Sequence, residues 1–373
     1  MVSSSRAQAG AQGEGSRPSL AGRRILVTGV AGFIGFHVAG RALEDGAIVL
    51  GIDSLNAYYD LSLKHARLAE LRRRYDLTFV KLDLSCGREF QDCMAAFKPE
   101  VVIHLAAQAG VRYSLEQPEA YISNVSGFLS ILEGCRQHPV DHLIYASSSS
   151  VYGMNRKLPF SEHDRVDHPV SLYAATKRAN ELMAHTYAHL FGVCSTGLRF
   201  FTVYGPWGRP DMAYFKFTRA IEAGKPIDVY NHGQLERDFT YVDDVTDAIL
   251  HLIDKPPNAD PSANVARPDP AISAAPTRIF NVGNNHPIPL DRMIGAIEAA
   301  LKRTAKRRLL PMQPGDVTQT YADIEDLKAV VGFAPSVSIE QGIQQFVSWY
   351  RGFYPELGQQ NSPRLSERQS WSL

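Results

Sequence analysis

Arg24-Ile25-Leu26-Val27-Thr28-Gly29-Val30-Ala31-Gly32-Phe33-Ile34-Gly35 decides the fold. A short apolar strand, Ile25–Val27, runs into glycines spaced G-x-x-G-x-x-G, and a helical pattern continues from Phe33 to Glu44, with Gly46 near its end. One glycine lets the chain turn, one lets backbone approach a pyrophosphate, and one lets helix pack on strand. The helix N-terminus then offers free N–H groups and a positive dipole end to phosphates. A second strand, Ala47–Ile52, leads to Asp53, 18 residues beyond Gly35. A carboxylate there accepts hydrogen bonds from both hydroxyls of an adenosine ribose and repels a 2′-phosphate, so NAD is expected rather than NADP.

The same rhythm continues outward. Further strands are expected at Leu77–Leu82, Val101–Leu105, His142–Ala146 and Cys194–Phe200, with helical patterns between them at Pro118–Arg136 and Leu172–Leu190. Strands alternating with helix-length segments indicate right-handed parallel βαβ units and an open, doubly wound (Rossmann) sheet. After about Gly205 the pattern turns irregular, as in a smaller mixed C-terminal domain that closes over a substrate. Pro256–Thr277 holds six prolines among Ala, Ser, Asn and Asp and reads as a long surface loop. The expected organisation is a disordered tail (1–21), an NAD-binding domain (22–204), a mainly substrate-binding domain with some segments returning to the sheet (205–353), and a C-terminal tail (354–373).

Composition bounds the function. The 373 residues carry 39 Lys+Arg against 39 Asp+Glu, a balance that argues against a nucleic-acid binder but allows a local basic pocket. Hydrophobic residues make up 45%, enough for a buried core. No apolar run reaches the ~18 residues that span a bilayer, and the first twenty residues lack the apolar stretch of a secretory signal. Cys86, Cys93, Cys135 and Cys194 form no Cys-x-x-Cys, so free, mostly buried thiols in a reducing, cytoplasmic compartment are expected, with neither disulfides nor a metal.

The fifth strand ends in Tyr145-Ala146-Ser147-Ser148-Ser149-Ser150-Val151-Tyr152-Gly153, and Tyr173-Ala174-Ala175-Thr176-Lys177 follows. Ligands of doubly wound sheets sit beyond the carboxyl ends of the strands, so these hydroxyls are expected in the crevice. Tyr173 and Lys177, four apart, share one helix face. A tyrosine is a poor base at neutral pH; a nearby ammonium and a nicotinamide cation are expected to favour its phenolate. A serine hydroxyl can hold the reacting oxygen while the tyrosine moves the proton.

On these residues the chain, over about 22–353, resembles the extended short-chain dehydrogenase/reductase superfamily. Within it, the chain looks like the UDP-glucuronate 4-epimerases, on Gly51-Ile52-Asp53-Ser54-Leu55-Asn56-Ala57-Tyr58-Tyr59-Asp60, Ser62-Leu63-Lys64, Val203-Tyr204-Gly205-Pro206-Trp207-Gly208-Arg209-Pro210-Asp211-Met212-Ala213, and Arg278-Ile279-Phe280-Asn281-Val282-Gly283-Asn284. The resemblance implies Ser148, five before Gly153, as the catalytic serine, Tyr173 as base and Lys177 as its partner. It implies Asp53 and Asn56 at the adenosine ribose, Asp83 and Leu84 at adenine, and Leu105-Ala106-Ala107 beside the cofactor. Related 4,6-dehydratases carry Asp-Glu at the places of Ser149 and Ser150, and related decarboxylases a Glu at Ser150. Without such an acid, proton delivery to C5 or C6 lacks a donor, and epimerisation needs none.

A nucleotide sugar brings two phosphates, so cations are expected near the crevice. By the same resemblance Arg237 meets the nucleotide half, Asp316 binds the nucleoside, and Gln313 stands where galactose-type relatives carry Arg. Thr202 and Arg209 are assigned to the sugar carboxylate, with Ser149 nearby and Arg112 serving that anion or the phosphates; a guanidinium with a hydroxyl offers several donors. The resulting expectation is reversible, NAD-dependent C4 epimerisation of UDP-glucuronic acid to UDP-galacturonic acid. The alternatives are a UDP-glucose/UDP-galactose 4-epimerase and a non-catalytic NAD-binding module, whose expected mark, a damaged Tyr/Lys pair, is absent. The resemblance also implies a homodimer through the helices near 118–136 and 172–190.

Overall fold

The computed structural model describes residues 19–260, 266–313 and 317–355. The expected tails lie outside these residues as far as 18 and from 356 onward, and so does Asp316. Leu20, assigned above to the tail, is a correction: it is fully buried in the main core, and the Gly22 N–H bonds the Gly46 carbonyl.

The strands are β1 (Arg24–Thr28), β2 (Ile48–Asp53), β3 (Thr78–Lys81), β4 (Val101–His104), β5 (His142–Ser148), β6 (Ser195–Phe200), β7 (Thr202–Tyr204), β8 (Ile227–Val229), β9 (Glu236–Tyr241), β10 (Thr277–Val282), β11 (Pro287–Pro289) and β12 (Arg307–Leu309). The helices are α1 (Phe33–Glu44), α2 (Leu61–Arg74), α3 (Gly87–Phe97), the single turn α4 (Tyr113–Glu116), α5 (Ile122–Gln137), α6 (Leu172–Phe191), α7 (Ala213–Glu222), α8 (Val242–Leu252), α9 (Leu290–Leu301), α10 (Glu325–Val331) and α11 (Ile339–Phe353).

Seven parallel strands form the main sheet in the order β10-β6-β5-β4-β1-β2-β3. The order reverses between β1 and β4, and the crevice beyond that switch point is where such sheets bind ligands. The two-residue period of a strand divides the core. Ile25 and Val27 of β1 enter the cluster with α1 and α8, while Leu26 enters the one with Phe90 and Met94 of α3 and Phe128, Ile131 and Leu132 of α5. A smaller lobe has its own core around Phe215, Met293 and Phe346, with sheets β11-β9-β7 and β12-β8.

One detail departs from the sequence reading. The helix expected at 118–136 begins as a tight 3-10 turn at Pro118–Tyr121, and the α-helix proper is Ile122–Gln137. The last strand of the main sheet, β10, comes from the C-terminal third of the chain, and α8 packs on the same core as α1. Local chemistry sets the ends of α6: the Ser171 hydroxyl accepts from the Ala174 N–H, and Gly192 closes the helix in the left-handed conformation. No helix among the described residues is long and apolar enough to cross a membrane.

Candidate active site

A cavity of about 480 Å³ opens at the switch point, within the ~300–1,000 Å³ usual for ligand sites. On one side lies the glycine turn. Gly29 has φ +71°, and a Cβ there would sit 2.7 Å from the Ala106 nitrogen; a Cβ on Gly35 would overlap the Gly29 carbonyl. Bare backbone is therefore required, and the cradle fits a pyrophosphate lying against the start of α1. Phe33 and Ile34 complete this wall with Gly32. Thr28 joins the ends of β1 and β4, bonding His104 Nδ1 (2.8 Å) and accepting from the Ala106 N–H (3.2 Å).

Asp53 accepts from the N–H groups of Ala31 (3.1 Å) and Leu55 (2.8 Å), which fixes its carboxylate beside the turn at the edge of the cavity. Lys64 donates to the Asn56 side chain (2.8 Å) and carbonyl (2.9 Å). Asp83 accepts from the Ser85 N–H and hydroxyl, and Asp83, Leu84, Leu105, Ala106 and Ala107 line the same space.

Opposite this cradle β5 delivers Ser148, and α6 delivers Tyr173 and Lys177. The Ser148 hydroxyl donates to the Ser150 hydroxyl (3.1 Å) and accepts from the Ser150 N–H (3.1 Å), and it lies beside the Tyr173 phenol. Lys177 is 1% exposed and donates to the Ala146 carbonyl at 2.9 Å. Burial lowers its pKa to about 8, against the partial support of Glu181. Behind them Ser147 donates to Glu181 (2.6 Å), which also takes a two-point ion pair from fully buried Arg199.

The expected electrostatics need correction. Burial raises the Tyr173 pKa above its ordinary value, and the cation that opposes this is Arg209, followed by the nearby Ser148 hydroxyl. Lys177 instead has its ammonium on the Ala146 carbonyl. Arg209 also differs from expectation. It lines the cavity, but its Nε (3.0 Å) and Nη2 (2.6 Å) already grip Asp211, whose second oxygen accepts from the Tyr58 hydroxyl (3.1 Å). The sequence reading gives Arg209 to the sugar carboxylate alone and assigns no role to Asp211, two residues on.

Ser149 and Thr202 line the cavity; Arg112, Arg237 and Gln313 do not. The Arg112 guanidinium sits over the Tyr230 ring, 5.3 Å from its centroid. Arg237 of β9 donates to the Glu236 and Thr318 carbonyls, and the Gln313 Oε1 is buried with no hydrogen-bond partner among the described residues. Sequence reasoning quotes Lys64 in the family likeness without a role and misses Arg67; both fall on the face of α2 that carries Leu63, Leu68 and Leu71 inward.

The model of the NAD dependent epimerase/dehydratase family matches residues 25–283. An uncharacterized 37.6 kDa protein of Escherichia coli O111:H- is 57% identical over 89% of this chain and 99% of its own. A probable UDP-glucuronate 4-epimerase of Rhizobium meliloti (strain 1021) is 48% identical over 88% of this chain and 96% of its own. The crystal structure of UDP-glucuronic acid 4-epimerase from Bacillus cereus in complex with UDP-glucuronic acid and NAD superposes with a TM-score of 0.79, at 29% identity, over 89% of this chain and 100% of that one.

Proposed function

The chain belongs to the NAD dependent epimerase/dehydratase family, and on that premise we propose that it interconverts UDP-glucuronic acid and UDP-galacturonic acid by inverting C4. The observation that carries the reading is the wall beside Tyr173: Ser148, Ser149 and Ser150 offer hydroxyls and no carboxylic acid. Oxidation at C4 is thus provided for, while the acid that elimination or decarboxylation chemistry would use is not.

NAD, when bound, supplies a hydride acceptor for C4 and returns the hydride. Gly29, Gly32 and Gly35 would hold its pyrophosphate, and Asp53 with Asn56 its adenosine ribose. Tyr173 takes the C4 hydroxyl proton, and Ser148 holds the same oxygen. Lys177 ties the Tyr173 turn of α6 to the end of β5. The 4-keto sugar turns over in the cavity, and Tyr173 returns the proton on the opposite face. This intermediate is a β-keto acid, prone to lose carbon dioxide. Thr202 and Arg209 hold its carboxylate away from the geometry that decarboxylation needs. Asp211 orients the guanidinium by one edge and leaves Nη1 for the substrate.

One observation favours a second reading. Because Asp211 already neutralises Arg209, the cavity also suits an uncharged hexose, as in a UDP-glucose 4-epimerase. Assays with UDP-glucuronic acid and UDP-glucose at equal concentration, without added NAD, decide between them. UDP-galacturonic acid should form far faster than UDP-galactose, and the reverse order would sink the reading.

We place the enzyme in the cytoplasm as a homodimer. In support, all four cysteines are free, although only Cys135 is buried where most were expected to be, and α5 and α6 leave Ile122 65%, Leu182 54% and Leu190 61% exposed. Sedimentation at micromolar concentration tests the dimer.

A further inference from the structure

Helix α2 carries a cation that the chemistry above does not use. Arg67 is 0% exposed, and every acceptor it reaches is neutral. Nη1 donates to the Ala31 carbonyl (2.8 Å) and the Tyr59 hydroxyl (2.7 Å). Nε and Nη2 both donate to the Trp207 carbonyl (3.2 and 2.5 Å), and Nη2 also to that of Gly208 (3.3 Å). A buried charge without a counter-charge is costly, and such groups concentrate at functional sites.

Its partners belong to two turns that each lead to residues lining the cavity. Ala31 lies inside the glycine turn, between Gly29 and Gly32. Trp207 and Gly208 lead directly into Arg209. Trp207 also has φ +60°, a left-handed conformation that a bulky residue keeps only when its surroundings impose it. The Trp207 ring is wedged among Phe36, Trp349 and Phe353, with centroids 5.1–5.3 Å away, while Arg67 holds its carbonyl from below. One guanidinium therefore fixes two turns. The first cradles a pyrophosphate and the second presents Arg209.

We propose that Arg67 is a positioning residue that couples the dinucleotide turn to the Arg209 turn, and that the dinucleotide's diphosphate supplies the counter-charge this buried cation lacks. The charge acts through the Ala31 carbonyl and the N–H groups of the turn, without direct contact. A fork is needed because a single ammonium cannot hold both turns. The Arg209 half of the proposal rests on the UDP-glucuronate reading; the dinucleotide half does not.

The test uses the full chain as Arg67→Met and Arg67→Lys. Three quantities are measured: the Kd for NAD, the thermal midpoint, and the ratio of UDP-galacturonic acid to UDP-pentose formed from UDP-glucuronic acid. Arg67→Met should weaken NAD roughly tenfold to a hundredfold, the scale of one counter-charge lost across several ångströms of a largely buried site, and should raise the pentose share. Arg67→Lys should recover most of the NAD affinity while keeping the raised pentose share. A merely structural role would lower the thermal midpoint and leave the Kd and product ratio of the folded fraction unchanged, and that result overturns the proposal. If Arg67→Met does not fold, Arg67→Lys decides alone: a wild-type product ratio contradicts the coupling. If the wild type leaves UDP-glucuronic acid untouched, the functional reading fails, and a weakened NAD Kd in Arg67→Met still upholds the dinucleotide half.

Discussion

The two walls of the cavity are built by different means. The cofactor wall is mostly backbone: Gly29 and Gly35 have no room for a Cβ, and Asp53 is held by two N–H groups. The sugar wall is made of side chains that answer one another. Arg209 grips Asp211, Tyr58 donates to Asp211, and Arg209 opposes the burial penalty on Tyr173. A backbone cradle tolerates almost no substitution but needs no partner. A side-chain wall can be retuned, and each change reaches the Tyr173 phenol through charge.

The largest effect should come where the walls meet. Tyr173→Phe keeps the ring and removes the proton acceptor, so turnover should fall about 10²–10⁴-fold, the usual worth of a positioned acid–base group. Calorimetry should show UDP-sugar affinity largely kept. Near wild-type turnover would remove Tyr173 from the mechanism.

On the cofactor wall, Gly35→Ala forces a Cβ against the Gly29 carbonyl. The cost should lie near the top of the overpacking range, about 3 kcal/mol or roughly a hundredfold in NAD affinity. Protein purified without additives should release NAD on denaturation, and the variant should not. Retention by the variant would mean that the cradle is looser than its contacts indicate.

On the sugar wall, Arg209→Ala should weaken UDP-glucuronic acid roughly tenfold to a hundredfold, for about 1.5–3 kcal/mol of lost charged hydrogen bonding. UDP-glucose should lose far less. Loosened 4-keto acid should also lose carbon dioxide: the C4 hydride stays on NAD as NADH, and C5 takes up a proton. A pentose product with reduced-nicotinamide absorbance is the signature. Equal losses for both sugars, without pentose, would confine Arg209 to the fold or the phosphates.

The contrast between the walls also explains what the sequence could reveal. Gly29, Gly32, Gly35 and Asp53 were legible because a backbone need leaves a fixed residue type at a fixed spacing. Tyr173 and Lys177 were legible because helix geometry puts positions four apart on one face. The partnership of Arg209 with Asp211 was not, because an ion pair depends on how the turn before α7 is folded. Arg67 was hidden because Leu61–Arg74 is rich in charge, and only the folded chain shows Arg67 donating to the Ala31 carbonyl of the glycine turn. The seventh strand was expected only as some segment returning to the sheet, without a place in it. Arg278–Gly283 looks like any short apolar stretch, and only the assembled sheet shows an open edge beside β6 for it to fill.

The smallest effect concerns pH. The carboxylate of Asp211 raises the Tyr173 pKa, and the Arg209 cation lowers it. Removing the negative charge by Asp211→Asn therefore favours the phenolate, so the rising limb of kcat against pH should move to lower pH. Arg209→Ala should move it to higher pH. Shifts in the same direction for both variants would show that the pair does not tune the base.

The central claim is that hydride leaves C4 and returns to C4 within one turnover. UDP-glucuronic acid deuterated at C4, incubated in ordinary water without added NAD, tests it most directly. The account predicts UDP-galacturonic acid that keeps the deuterium at C4, read by NMR and mass spectrometry. Deuterium lost to solvent would contradict it, because the inversion would then proceed through proton exchange rather than through a returned hydride.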